Sequence, residues 1–232
     1  MIDFSKMLVL IPARGGSKGI FKKNIKPLCG QPLINWTITE ALKSKYISDV
    51  IVSTDDDEIA QISKNCGAKV PFIRPAELAK DDTPGVKPAL HALEELDGFE
   101  SLLLLQPTSP LRIVEDINGL LKKVERTNLD SIASITATAA PLEWTYYIDE
   151  NDRLFGVKDT VNLTARQDAK ATYNTNGAMY WVKAAWLRDK LTFVNNETFG
   201  YLMPPERSID IDSFFDWLMA ELIIKDRVKN DP

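Results

Sequence analysis

Apolar and polar residues along the first 138 positions follow two alternating patterns. Short, continuous apolar runs bounded by turn residues are typical of strands buried on both faces of a sheet. The segments between these runs carry apolar residues at helical spacing. Strands that alternate with helices predict an α/β fold with a mostly parallel sheet and helices on both faces. The predicted strands lie within 7–12, 48–56, 69–73, 100–110 and 130–138, and the predicted helices within 31–45, 57–68, 87–96 and 113–127.

The pattern is less regular in the C-terminal part of the chain. Residues 141–157 predict an antiparallel insertion, 176–182 a returning strand and 213–229 an amphipathic helix. No internal repeat, low-complexity tract or Pro/Gly/Ser-rich linker divides the sequence. We therefore expect a single domain over 1–232, with a small projecting lobe inserted at about 138–175.

Polar clusters follow four of the predicted strands at the point where each strand ends. Ligands of open parallel sheets bind at the carboxyl ends of the strands. A shared binding site at this edge is therefore the functional interpretation. The alternative is that the loops of any α/β protein contain many polar turn residues. The clusters are PARGGSKG at 12–19, STDDDE at 53–58, RPAEL at 74–78 and QPTSPLR at 106–112.

Composition narrows the class of protein. Hydrophobic residues make up 44% and charged residues 26% of the 232 positions, as in ordinary soluble globular domains. The longest apolar runs are too short to span a membrane, and the N-terminus has no signal-peptide pattern. The two cysteines form no metal or redox motif, and the single histidine lies in a helical pattern. We expect a cytoplasmic protein without a membrane segment, a zinc site or histidine-based catalysis.

The net charge of -5 conceals a basic segment near the N-terminus. Residues 4–39 contain no Asp or Glu and hold six cationic residues, which are Lys6, Arg14, Lys18, Lys22, Lys23 and Lys26. Such a pocket on an acidic protein fits a small anion better than a nucleic acid. The glycines match neither GxxxxGK[ST] nor GxGxxG, but their backbone N–H groups can still approach phosphates. The segment predicts a nucleotide or sugar-phosphate loop, and a solvated lysine surface is the alternative.

A pair of carboxylates stands near the C-terminus, in the stretch RSIDIDSFFDW. On an extended segment, Asp210 and Asp212 point the same way because they are two residues apart. Magnesium commonly takes one or two carboxylates together with substrate phosphates. The pair is therefore a candidate metal site that would complement the basic loop. The alternative is that Asp212 or Ser213 caps the last helix and that Asp210 is solvated.

Six motifs occur in the order and spacing of the acylneuraminate cytidylyltransferases, or CMP-sialic acid synthetases, and the chain resembles this family from about residue 7 to 220. The motifs are IPARGGSKGIFKKNIK, VSTDDDEIA, RPAELAKDDT, LLQPTSPLR, NTNGAMYW and SIDIDSFFDW. The resemblance implies a Rossmann-like nucleotide-diphospho-sugar transferase fold. It implies an enzyme that uses CTP and Mg²⁺ (or Mn²⁺) to convert a nonulosonic acid into its CMP-sugar, with release of pyrophosphate. It also implies a homodimer in which the 138–175 lobe reaches the partner's site.

The resemblance assigns roles to residues that match these motifs. The residues that would hold CTP are Arg14, Lys18, Lys23 and Asn24 in the nucleotide loop, and Arg74 and Thr83 at the cytosine pocket. The residues that would contact the sugar are Gln106, Asn176 and Arg166. Asp210 and Asp212 match the metal-binding pair. Arg14, Lys18 and Asp212 would act in catalysis, and proton removal falls to Asp212 or to a metal-bound hydroxide.

One position departs from the family pattern. Where members of the family often place a lysine in a PLK context, this chain has Glu143. A carboxylate does not suit an acidic sugar, so Glu143 is expected to point away. Positive charge would come instead from Lys158, Arg166 or Lys170. The departure also leaves legionaminic or pseudaminic acid open as the sugar, beside N-acylneuraminate.

Two other classes of protein remain as alternatives. A metal-dependent glycosyltransferase also uses a DxD motif on a similar sheet, but usually after a central strand and not at residue 210 before the last helix. A non-catalytic nucleotide-sensing module would bind CTP without releasing pyrophosphate. The combination of both aspartates with an intact basic loop argues against it, because sensing alone does not need the metal pair.

Overall fold

The computed structural model describes residues 2–17, 19–157 and 169–230. The strands in this part are β1 Met7–Pro12, β2 Pro27–Leu28, β3 Gln31–Pro32, β4 Ile51–Ser53, β5 Ser101–Leu105, β6 Ser131–Ala137, β7 Tyr146–Ile148, β8 Leu154–Gly156, β9 Tyr173–Lys183 and β10 Phe199–Leu202. The α-helices are α1 Leu33–Leu42, α2 Asp57–Asn65, α3 Val86–Glu95, α4 Val114–Thr127, α5 Ala184–Lys190 and α6 Phe214–Asn230. None of these helices is long and apolar enough to cross a membrane.

The central sheet has six strands in the order β4–β1–β5–β9–β6–β10. β1 pairs in parallel with β4 and β5, and β10 pairs in parallel with β6. β9 is antiparallel to both of its neighbours, β5 and β6. The mostly parallel α/β sheet predicted from the sequence is therefore confirmed, with one reversed strand inside it.

Successive side chains of β1 point to opposite faces of the sheet and enter two separate cores. Val9 and Ile11 pack with buried residues of α1, α2 and α4, among them Ile38. Leu8 and Leu10 pack with buried residues of α3 and α5. Because helices cover both faces, β1 and β5 have to be apolar at almost every position, which explains the continuous apolar runs in the sequence.

The segment 69–73 is not the strand that the sequence predicts. Lys69 alone bridges to Ile51, with hydrogen bonds from Lys69 to Val50 and from Val52 to Lys69 of 2.8 and 2.9 Å. Pro71 has no N–H group to continue the ladder, so the pairing ends after one residue. The prediction of a third strand is wrong.

An exposed hairpin occupies part of the predicted lobe. β7 and β8 form a two-stranded antiparallel sheet, which confirms the antiparallel insertion predicted at 141–157. Its apolar side chains are not covered, since Tyr147 is 66%, Ile148 64% and Leu154 65% exposed. Lys158 and Arg166, and Lys18 in the nucleotide loop, lie outside the described residues.

Candidate active site

A cavity of about 830 Å³ opens where β1 and β5 end. Its lining contains eight of the residues expected to form the site, which are Arg14, Lys23, Asn24, Arg74, Thr83, Gln106, Asp210 and Asp212. A second cavity of about 400 Å³ adjoins it and shares Gln106, Tyr180 and Asp210 with it. Asn176 lines the second cavity. The fold therefore brings residues from distant parts of the chain to one edge of the sheet, as the loop positions predict.

The glycine loop after β1 is held by polar contacts to the loops beside it. The Arg14 guanidinium lies 2.7 Å from the Asp81 carboxylate. The backbone N–H of Gly15 donates a hydrogen bond of 3.0 Å to Asp55. Asn24 is buried, and its side-chain amide donates to the carbonyl of Arg14 at 3.0 Å. Asn24 thus shapes the loop from inside.

Lys23 joins the basic loop to the acidic pair. Its ammonium group donates to the carbonyl of Ile211 at 2.5 Å and to the carboxylate of Asp212 at 3.2 Å. These contacts link residues almost 190 positions apart in the sequence. The side chain of Lys23 is only 15% exposed, so its charge is presented to the cavity and not to bulk solvent.

Arg74 and Thr83 lie at the two ends of the loop between residue 74 and α3. Arg74 is 3% exposed, and its burial lowers the pKa of the guanidinium, although Asp55 lies 3.7 Å away. Thr83 donates to the carbonyl of Glu77 at 3.2 Å. Both residues line the cavity, as expected for a nucleotide-base pocket.

Asp210 and Asp212 have different surroundings. Burial raises the pKa of Asp210, although a hydrogen bond with Thr108 opposes this effect. Its Oδ1 is shielded from solvent and has no hydrogen-bond partner among the described residues. The side chain of Asp212 is 81% exposed. A buried carboxylate oxygen that receives no hydrogen bond lacks a partner, and a hard cation would supply one. The pair therefore fits a divalent metal.

The last helix does not use the side chain of Asp212 as its cap. Ser213 accepts a hydrogen bond from the backbone of Asp216 at 3.3 Å, and Asp216 accepts from the backbone of Ser213 at 2.7 Å. This reciprocal arrangement is a capping box. The described residues contain no group of three or more His, Cys, Asp or Glu side chains suited to a metal. Substrate phosphates and water would therefore complete the coordination of a cation held by this pair.

Gln106 and Gly177 meet beside Asp210. Gly177 has a φ of +75°, and a Cβ atom at this position would lie 2.7 Å from Oε1 of Gln106 and 3.1 Å from Oδ2 of Asp210. The neighbouring Asn176 is buried, and its amide is already bonded to Ser134 at 2.6 Å and to Ser208 at 2.9 Å. Asn176 therefore ties β9 to β6 and to the chain that leads to Asp210.

Gly177→Ala is expected to lower turnover by about 100-fold per folded molecule, because displacement of catalytic groups by about 1 Å can cost this much. Gly98→Ala is the matched control, since Gly98 has a similar φ of +89° but no atom within 4 Å of the added Cβ. Both variants should lose stability through backbone strain, of roughly 1–2 kcal/mol. Equal turnover in the two folded variants would contradict the close packing assigned to Gly177.

Two features of the site were not evident from the sequence. Asp55 contacts both Gly15 and Arg74, but its sequence context of three successive aspartates gives no sign of which one turns inward. The rings of Tyr180 and Phe193 contact each other in a tilted arrangement, with centroids 5.3 Å apart and an interplanar angle of 40°, and form an apolar wall of the main cavity. Phe193 lies in no recognisable motif, so only the fold reveals it.

Comparison with solved structures identifies the fold. The chain superposes on the structure of CMP:2-keto-3-deoxy-manno-octonic acid synthetase complexed with CTP with a TM-score of 0.73, over 96% of this chain and 99% of that one. The sequences are 14% identical, so this similarity concerns the fold. It confirms the Rossmann-like α/β fold with a mostly parallel central sheet.

Sequence comparison identifies the family. The cytidylyltransferase family profile matches residues 8–203. The chain is 32% identical to CMP-N,N'-diacetyllegionaminic acid synthase of Legionella pneumophila over 95% of this chain and 97% of the relative. It is also 32% identical to N-acylneuraminate cytidylyltransferase of Escherichia coli, over 93% of this chain and 51% of that longer protein. The chain is therefore an enzyme of the cytidylyltransferase family.

Proposed function

We propose that the chain transfers the cytidylyl group of CTP to a nonulosonic acid, an N-acylneuraminate or a close relative such as legionaminic or pseudaminic acid. The products are the CMP-sugar and pyrophosphate. The observation that carries this proposal is the contact of Lys23 with Asp212, which joins the basic loop to the carboxylate pair within one cavity. The relatives that act on legionaminic acid and on N-acylneuraminate support the class of sugar.

In the proposed reaction, the oxygen of the anomeric hydroxyl attacks the α-phosphorus of CTP while the bond to pyrophosphate breaks. Arg14, Lys18 and Lys23 would neutralise the phosphate oxygens as charge moves to the leaving group. Asp210 and Asp212 would hold Mg²⁺ or Mn²⁺, and the ion would supply further charge neutralisation at the phosphates. The carboxylate of Asp212, whose side chain is 81% exposed, would be one candidate to accept the proton of the hydroxyl.

The second cavity suits a polyhydroxylated and amidated sugar. It is lined mainly by hydroxyl and amide side chains, which are Gln106, Thr136, Asn174, Thr175, Asn176 and Ser208. It contains no lysine or arginine among the described residues. Cations for the sugar carboxylate would thus come from elsewhere, and Arg166 is the candidate that the family resemblance implies. Glu143, which is half-buried in a short helical turn, lines neither cavity.

Gln106→Ala is expected to raise the KM for the sugar by at least about tenfold and to leave the Kd for CTP nearly unchanged. A binding group left without its partner discriminates strongly between ligands, and Gln106 lies where the two cavities meet. Steady-state kinetics in the sugar and calorimetry with CTP separate the two effects. Loss of CTP binding with unchanged sugar kinetics would move Gln106 to the nucleotide site.

We also infer that the chain is one catalytic domain, 1–232, and that it forms a homodimer through the lobe at about 138–175. The exposed apolar surface of the hairpin is of the kind that marks protein–protein contacts. Tyr147→Asp together with Leu154→Asp should therefore convert a dimer into a monomer in light scattering. Leu222→Asp, on the exposed face of α6 and 63% exposed, is the control. An unchanged mass of the hairpin variant would refute this interface.

A pyrophosphate-release screen tests the function. It combines the protein and Mg²⁺ with each nucleoside triphosphate in turn and with a panel of nonulosonic acids. The proposal predicts release that requires both CTP and one of the sugars. A metal-dependent glycosyltransferase would release a nucleoside mono- or diphosphate only from an added nucleotide-sugar, with transfer of the sugar to an acceptor, and a sensing module would release nothing. The two free cysteines and the need for CTP favour the cytoplasm as the place of the reaction.

A further inference from the structure

Asp116 in the first turn of α4 is a buried carboxylate that the proposed reaction does not use. Its side chain is 3% exposed, and both of its oxygens accept hydrogen bonds from Arg207, at 2.8 and 2.9 Å. This bidentate contact raises the pKa of the Arg207 guanidinium. Paired contacts of this kind fix direction as well as distance, because the guanidinium and the carboxylate are both planar.

Arg207 opens the segment that carries the acidic pair. After the short helical turn Pro205–Arg207, the chain runs to Asp212 without a strand or helix. No sheet ladder therefore defines where the two carboxylates lie. Only three residue steps separate Arg207 from Asp210, a reach of at most about 10 Å. A fixed Arg207 therefore restricts the position of Asp210 directly.

Besides the contacts of Lys23 with Ile211 and Asp212, two further hydrogen bonds hold the same segment. Ser208 accepts a hydrogen bond from the amide of Asn176 at 2.9 Å. The backbone N–H of Ile211 donates to the carbonyl of Thr108 at 2.8 Å. Asn176 lines the second cavity, and Thr108 lines the main one. The contact with Asp116 differs from these hydrogen bonds because it ties the segment to a helix of the main core, where Ile117 and Leu120 are fully buried.

We propose that Asp116 is a positioning residue for the acidic pair: through Arg207 it sets the geometry with which Asp210 and Asp212 meet a divalent cation and the phosphates of CTP. The inference rests on the proposed function and adds to it a residue that contacts neither substrate nor metal. Partners outside the immediate ligand set orient the ligands, and their loss typically lowers metal affinity by about 10–100-fold.

The test compares Asp116→Asn and Arg207→Lys with a control that only destabilises the protein. Asn keeps the size of Asp116 but loses the charge. Lys keeps the charge of Arg207 but loses the planar guanidinium group that makes two hydrogen bonds at once. Val124→Ala is the control, because Val124 is fully buried on the same helix. The ion pair and the two hydrogen bonds between Arg207 and this helix go to Asp116, so the control leaves them in place. All three variants are compared per folded molecule.

Calorimetry of CTP binding at increasing Mg²⁺ gives a readout that needs no turnover. Mg²⁺ is expected to increase the affinity for CTP. Asp116→Asn should raise the Mg²⁺ concentration at which half of this increase is reached by about tenfold, while the affinity for CTP without Mg²⁺ stays unchanged. Arg207→Lys should give a smaller shift in the same direction, and Val124→Ala none. The Mg²⁺ dependence of pyrophosphate release should shift in parallel.

Wild-type Mg²⁺ dependence in folded Asp116→Asn or in Arg207→Lys would overturn the inference, as would an equal shift in Val124→Ala. If Asp116→Asn does not fold, Arg207→Lys decides the question. If the wild-type protein binds CTP with Mg²⁺ but does not release pyrophosphate with any of the sugars, the proposed function fails. The binding titration still tests the role of Asp116 in that case. If wild-type binding of CTP does not depend on Mg²⁺, the inference itself is wrong.

Discussion

Asp210→Asn and Asp212→Asn are each expected to lower the rate of pyrophosphate release by at least about 100-fold, because amide groups lack the negative charge that a hard cation prefers. Without ligands, the two variants should remain folded. Asp210→Asn should even raise the melting temperature at neutral pH. Burial raises the pKa of Asp210, and nearby Asp212 adds to the effect, so keeping this group ionised opposes folding.

The sign of this stability effect can be checked against pH. A carboxyl group whose pKa is raised on folding destabilises the protein above its unfolded pKa and ceases to do so when it is protonated in both states. The advantage of Asp210→Asn should therefore be largest at neutral pH and should shrink as the solution becomes acidic. Asp49→Asn, which removes a surface ion pair with Lys69, is the control and should leave turnover unchanged. Variants at 210 and 212 with normal turnover would eliminate the metal site.

Lys23→Met is expected to reduce kcat by about 100- to 1,000-fold, the loss seen when one preorganised electrostatic donor is removed. The adjacent Lys22 offers a close control. It pairs with Glu58, is 44% exposed and does not line the cavity. Lys22→Met should therefore keep its turnover, although both variants remove one positive charge from the same loop.

Kinetics and thermal denaturation of the two lysine variants distinguish catalysis from structure. Lys23 also bonds to the carbonyl of Ile211, so some loss of stability is expected at this position. The assignment requires that turnover per folded molecule falls at Lys23 and not at Lys22. Similar kinetics for the two variants would mean that the loop contributes only a general positive potential.

Much of the fold is predictable from the sequence because a sheet covered on both faces imposes a simple pattern. The runs that became β1 and β5 are apolar at nearly every position, and the helices between strands show their own spacing. The direction of β9 is not predictable in this way. Its run of apolar residues, Ala178–Val182, would serve a parallel strand equally well, and its direction depends on the long connection that precedes it.

Short elements escaped prediction for a related reason. α5 has seven residues and β10 has four, so neither repeats its pattern often enough to be recognised. β10 also contains Gly200, which is unfavourable in strand interiors. The strand conformation of β10 is instead set by a tertiary contact, because β10 pairs with β6 at the edge of the sheet.

The sequence predicts which residues form the candidate site better than it predicts the contacts between their side chains. The two-residue spacing of Asp210 and Asp212 and the basic loop both follow from the sequence, and the fold places them together. The sequence could not show which of Asp212 and Ser213 caps the last helix, since both side chains are suitable. The sequence also could not show that the side-chain amide of Asn176 forms hydrogen bonds with Ser134 and Ser208 inside the protein.

The central claim is that this chain joins CMP to a nonulosonic acid. Phosphorus NMR of one reaction mixture tests it most directly, with CTP, Mg²⁺ and either N,N'-diacetyllegionaminic, pseudaminic or N-acetylneuraminic acid. The account predicts that CTP disappears as a sugar phosphodiester and pyrophosphate appear in equal amounts, with at least one of these sugars and not with UTP or ATP. Intact CTP with every sugar, or CDP or CMP without a sugar phosphodiester, would contradict it.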